Sequence, residues 1–180
     1  MRLLLENTMA LVVDYQERLM PVIYENEALA QRSAVLLKGL KALGVPMVMT
    51  QQYTKGIGMT VPEIIQAVGS EEYFDKLAFS CFEDDNIRKK IFQLGKKTVL
   101  VCGIEAHICV LQTCIDLKTA GYTPVLVTDC IGSRKESDKQ VALLRAQSEG
   151  ILLTTTESIL FELTRKAGSP VFKEISKLIK

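Results

Sequence analysis

Apolar runs of strand length alternate with stretches of helical periodicity along the whole chain, and few folds accommodate that order. Met9–Val13, Met47–Thr50, Thr98–Cys102, Val125–Thr128 and Ile151–Thr154 read as strands, the first of them buried on both faces. Between the first two, Leu29, Leu36, Leu37, Leu40 and Leu43 recur at helical spacing until Gly44 and Pro46 stop the helix. A short helix is expected near Glu63–Val68, followed by an irregular or extended piece over Tyr73–Phe82. Acidic Glu83–Asp85 open a helix that ends at Gly95, and a further helix runs from about Ile108 to Ala120, closed by Gly121. Ser133 and Glu136 have the spacing of a capping box for a helix reaching about Glu149. A helix over Ser158–Lys166 follows the last strand, and the tail from Pro170 puts Val171, Phe172, Ile175, Leu178 and Ile179 on one helical face. Strands alternating with helices in this way imply βαβ units and a mainly parallel sheet.

The 180 residues, 48% hydrophobic with net charge +1, are expected to fold as one domain over 1–180 with a substantial core. No apolar run is long enough to span a bilayer. Near-neutral charge, one histidine and no tryptophan argue against nucleic acid as the partner. Five cysteines without metal-ligand spacing, and a leucine run at Leu3–Leu5 cut short by Glu6, point to a reducing, cytoplasmic setting without an export signal.

Chemistry concentrates in Lys97–Thr113, KTVLVCGIEAHICVLQT, where a strand breaks at a glycine and Cys109 follows at the head of a helical pattern. In open parallel sheets ligands bind beyond the carboxyl ends of the strands, and a helix N-terminus favours a thiolate. Parallel strands bring Asp14, at the end of the first run, to the same rim as Cys109. A carboxylate beside a buried strand needs a partner, and Lys76 in DKLAFSCF is the available cation.

An Asp ending the first strand in VVDYQ, a lysine in K-x-x-F-S-x-F and a cysteine in CGIEAHICV together resemble the isochorismatase-like cysteine hydrolase superfamily. TQQYTKGIGMTVPEI, CGIEAHICVLQTCIDL, DCIGSR and FKEISKLIK are particularly similar to its isochorismatase domain-containing subgroup. The resemblance implies a Rossmann-like three-layer α/β/α sandwich with strand order 3-2-1-4-5-6, the sixth strand coming from the piece around Lys76. It also implies an Asp14-Lys76-Cys109 triad: Cys109 as nucleophile, Asp14 as proton carrier, Lys76 as the cation joining them. A cis peptide between Ile104 and Glu105 is implied as well, aiming the Glu105 and Cys109 amides at an oxyanion.

Other residues have plainer readings. Cys81, Cys102, Cys114 and Cys130 are expected to be structural, and the lone Gly56-x-Gly58 is a flexible loop. Gln16 and Gln52 either line a substrate pocket or bond the backbone. His107 stands two residues from Cys109, so at a helix start the side chains diverge, and a solvent-facing or loop-packing role is expected. The superfamily's nicotinamidases carry Asp and His metal ligands where this chain has Thr50, Gln51, Gln52, Tyr53 and Thr54. A metal site is therefore not expected, and no cofactor is implied.

The leading expectation is a metal-independent cysteine hydrolase of a small amide or related C–N substrate. The alternatives are a protein acting as a homo-oligomeric interaction partner, for which the apolar tail is the warrant, and a nucleic-acid-processing protein.

Overall fold

A computed structural model describes residues 1–180. Six strands form one parallel sheet: β1 Thr8–Val13, β2 Met47–Gln52, β3 Phe74–Lys76, β4 Thr98–Ile104, β5 Thr123–Gly132 and β6 Leu152–Thr154. Their spatial order is β3-β2-β1-β4-β5-β6. The three residues Phe74–Lys76 do form the edge strand, too short to announce itself by pattern.

Strand alternation divides the core in two. Ala10, Val12, Met49, Leu100 and Val125 face helices α1 (Asn26–Ala42), α3 (Pro62–Val68), α7 (Thr156–Thr164) and α8 (Phe172–Ile179). Met9, Leu11, Val13, Val48, Val99, Val101 and Leu126 face α4 (Asp85–Leu94), α5 (Leu111–Thr119) and α6 (Glu136–Ser148). A four-residue helix, α2 (Thr54–Ile57), follows β2. Two-sided burial explains why the strand sequences are continuously apolar. The tail helix α8 packs on α1 and α7 of its own chain, with Ile175 fully buried, so the apolar stripe completes this layer.

Three local expectations need correction. Ser133 does not cap α6: Lys135 precedes the helix without a side-chain cap, and the Ser133 hydroxyl bonds His107 instead. The segment read as the start of a helix at Ile108 is a π-helical turn, Ala106–Val110, that leads into α5. β5 extends through Gly132, because its pairing with β4 jumps from Val101–Leu126 to Gly103–Ile131 across an irregularity. The DCIGS stretch, with turn-type composition, is thereby held in the sheet.

Register fixes what meets at the carboxyl edge. Val13 lies opposite Thr50 on one side and Gly103 on the other, while Gln52 pairs with Lys76. Gly103 has φ +129, and a β-carbon there would stand 2.0 Å from the Val13 carbonyl oxygen. Only glycine lets β1 and β4 approach this closely, just before each strand delivers its functional residue.

Candidate active site

Asp14 leaves β1 with φ 54, a left-handed conformation that a non-glycine residue adopts at a cost of about 1–2 kcal/mol. Strain of this kind persists where surrounding contacts fix the residue, and Asp14 is fully buried and held on both oxygens. Oδ2 accepts from Lys76 Nζ at 2.7 Å and Oδ1 from the Thr50 hydroxyl at 2.8 Å, while the Asp14 amide donates to Thr50 O at 3.2 Å. Tyr15 anchors the next residue from beneath, its hydroxyl donating to Cys130 O at 2.6 Å and lying 2.7 Å from Ser33 Oγ.

Lys76 ends β3 with its side chain turned inward, and none of that side chain reaches solvent. Besides Asp14, Nζ meets Gln52 Oε1 at 2.7 Å and the carbonyls of Ala78 and Phe79 at 3.2 and 3.1 Å. Desolvation works against the ammonium, yet the Asp14 carboxylate beside it outweighs that burial and raises its pKa. An ammonium has three protons, and four acceptors already surround this one. Lys76 thus acts on the site through its charge and has no N–H to spare for a substrate.

Cys109 projects from the π turn after β4 and is 7% exposed. Burial, then the Asp14 carboxylate, push its thiol up to about 12, with Lys76 opposing. The expectation that the helix end would favour a thiolate is therefore reversed. Tertiary burial and a carboxylate the sequence places far away dominate, so the resting thiol keeps its proton and needs a base to give it to.

The Ile104–Glu105 peptide is cis. The Glu105 amide donates to no protein acceptor, leaving it available to an incoming oxygen. Its carboxylate is clamped by Arg134, whose backbone N–H and Nε both donate to it at 3.0–3.2 Å. Beneath the turn, Thr113 Oγ1 donates to Cys109 O at 2.6 Å and accepts from the Cys81 amide at 2.8 Å.

Gln16 does not line a pocket. It is fully buried, and its amide is spent on backbone, accepting from Gln52 N at 2.7 Å and donating to Gln52 O and Gly58 O. Gln52 cradles Lys76 through Oε1 and donates Nε2 to Leu77 O. His107 turns away from Cys109, its Nδ1 2.9 Å from Ser133 Oγ and its Nε2 3.9 Å from Asp138. No group of three or more His, Cys, Asp or Glu side chains converges as metal ligands. A surface cavity of about 520 Å³ between Met20–Pro21, α1 and α3 is lined by none of Asp14, Lys76 and Cys109.

A parallel 3-2-1-4-5-6 sandwich with a carboxylate, an ammonium and a thiol gathered at its carboxyl edge defines an isochorismatase-type α/β protein. The Isochorismatase domain model matches residues 8–158. The chain belongs to the isochorismatase family. It is 35% identical to isochorismatase domain-containing protein 2 of Danio rerio over 99% of this chain and 89% of that protein. It is also similar to the structure of the MAR1 ribonuclease of Caenorhabditis elegans, with TM-score 0.92, 32% identity and coverage of 99% and 92%. The fold recurs in Escherichia coli YcaC, described as an octameric hydrolase of unknown specificity, with TM-score 0.92, 22% identity and coverage of 99% and 89%.

Proposed function

We propose that this protein is a cysteine hydrolase that cleaves a small amide or related C–N bond through a Cys109 thioester, without a metal. The Asp14–Lys76 pair, buried at 0% exposure with its charges acting on the Cys109 thiol, carries the reading, because a fully buried carboxylate–ammonium pair is expensive to build for stability alone.

The cycle follows from the contacts. As Cys109 Sγ attacks the carbonyl carbon, its proton passes to Asp14, and the carbonyl oxygen takes up negative charge facing the Glu105 and Cys109 amides. Lys76 compensates the charge around Asp14 throughout. Collapse of the tetrahedral adduct breaks the C–N bond, Asp14 returns the proton to the departing nitrogen, and a thioester remains. Water then attacks the thioester and gives a proton to Asp14. Loss of the carboxylic acid regenerates the Cys109 thiol by return of that proton.

The test is intact-mass detection of a thioester on a panel of small amides and imides. A mass increment that maps to Cys109 and disappears in Cys109→Ala supports the reading; turnover that survives Cys109→Ala overturns it. A second reading, RNA processing, is favoured by the similarity to a structure described as a ribonuclease. RNA cleavage by wild type that Cys109→Ala retains would move the function there, whereas no cleavage at low salt, where electrostatic binding is strongest, would end it. The exposed apolar side chains Phe92, Val141 and Leu144 fit a homo-oligomer.

A further inference from the structure

We propose that the Glu105 side chain is a positioning group: clamped by Arg134 at the end of β5, its carboxylate fixes the direction in which Glu105's own backbone amide meets the oxygen of an acyl group under attack; this rests on the hydrolase reading above. Glu105 is 7% exposed, and its polar groups are divided among three tasks. Its carbonyl accepts from Ile108 N at 3.0 Å and Val110 N at 3.3 Å, which starts the π turn. Its Oε2 accepts from Arg134 N at 3.0 Å and Arg134 Nε at 3.2 Å, and its Oε1 accepts from Nε at 3.1 Å. The amide alone is left without a protein acceptor. A tetrahedral α-carbon whose carbonyl and side chain are both held has little freedom left in its bond to nitrogen. On the far side of that amide, Ile104 is paired with Gly132 in the sheet.

Packing does not account for a carboxylate here. A charge this buried needs partners, and a negative one on the residue that meets a developing oxyanion opposes the reaction unless it is neutralised. Arg134 supplies both the opposite charge and directional bonds. The same strand end grips the other side of the turn, because Ser133, 1% exposed, lies with Oγ 2.9 Å from His107 Nδ1. Consecutive residues of β5 and its exit thus hold Glu105 and His107, on either side of Ala106. Geometry is the larger part of the clamp: an amide oxygen in the place of Oε2 keeps two of the three contacts without any charge. Losing an oxyanion donor outright costs about 10²–10³ in rate, and a donor that is kept but no longer held loses part of that, about tenfold.

The experiment compares two reagents at Cys109. In p-nitrophenyl acetate the thiol attacks a carbonyl: the S–C bond forms through an oxyanion, the C–O bond breaks, p-nitrophenolate leaves with the electron pair and the thiol proton passes to solvent. In iodoacetamide it attacks the methylene, iodide leaves and no oxyanion forms. Acylation is the p-nitrophenolate release that Cys109→Ala abolishes in each background, and alkylation is read by peptide mapping. Both are measured on wild type, Glu105→Ala, Glu105→Gln and Arg134→Leu. Glu105→Ala is expected to lower acylation about tenfold while alkylation of Cys109 holds, and Glu105→Gln to stay within about twofold of wild type. Arg134→Leu keeps the backbone N–H contact and falls between them. Acylation by Glu105→Ala within about threefold of wild type overturns the proposal, as does an equal fall with both reagents, or an equal change in Ala and Gln. If Glu105→Ala opens all five cysteines to alkylation, Arg134→Leu decides: lowered acylation with alkylation held supports the clamp, and unchanged acylation overturns it. Wild type that releases p-nitrophenolate no faster than Cys109→Ala overturns the hydrolase reading itself, and this inference with it.

Discussion

Breaking the Asp14–Lys76 pair from each side should cost unequal amounts, and the inequality can be worked from the partners each charge would keep. Lys76→Met leaves a carboxylate at 0% exposure with the Thr50 hydroxyl as its one remaining side-chain donor. An uncompensated buried charge of this kind costs about 3–5 kcal/mol. Asp14→Asn leaves the ammonium with Gln52 Oε1, Ala78 O and Phe79 O, three acceptors for three protons. Its cost is that of one charge-assisted hydrogen bond, about 1.5–3 kcal/mol. The double variant removes both charges and should cost less than the two singles combined, with a coupling of about 2–3 kcal/mol. Urea unfolding at pH 7 of all four proteins measures the cycle. Costs that add to within about 0.5 kcal/mol, or an Asp14→Asn variant weaker than Lys76→Met, would refute the reasoning that the two side chains stabilise one another's ionised forms.

Alkaline pH should erode stability with a definite sign. The buried thiols of Cys81 and Cys102 are raised from 9.0 to about 11 and about 12, so between those values the unfolded chain has lost protons that the folded one keeps. Stability is then fully present below about pH 9 and falls as pH climbs toward 11–12; Lys76, whose pKa is raised above 10.5, adds to the loss at the upper end. Chemical denaturation at pH 8, 9 and 10 should show a plateau followed by a decline, and a stability that rises over this interval would contradict the burial of these groups. Gly103→Ala must place a methyl group against the Val13 carbonyl at a backbone angle closed to alanine, and should lose at least about 3 kcal/mol by thermal unfolding. His107→Ala should leave the Cys109 alkylation profile at its wild-type position while costing about 1 kcal/mol through the lost Ser133 contact; a displaced profile would reinstate a cysteine–histidine pair.

How much of this was readable depends on the length scale of each interaction. The strands were legible because two-sided burial leaves continuous apolar runs, and α4 because Asp84 and Gly95 cap it locally, with the Asp84 carboxylate accepting from Asn86 N and Ile87 N. β3 was not legible by pattern, since three residues cannot show a period; its register with Gln52, rather than its composition, makes it a strand. Ser133 illustrates a local signal overruled: its spacing to Glu136 suits a cap, but His107 competes for the hydroxyl across the β5 end.

The same logic explains which site residues the sequence revealed. Asp14 and Cys109 stand out by their place at a strand end and a helix head, whereas Lys76 was marked only by its K-x-x-F-S spacing. Thr50, Cys81, Thr113 and Tyr15 look like ordinary strand, turn, helix and core residues. They are tied into the site by contacts made 31, 32 or 36 residues away in the chain, or 115 in the case of Tyr15. A thiol at a helix head suggests activation by the local dipole, whereas the folded chain surrounds it with burial and a carboxylate that hold its proton in place. The residue that most visibly announces chemistry is therefore the one whose protonation its own segment does not determine.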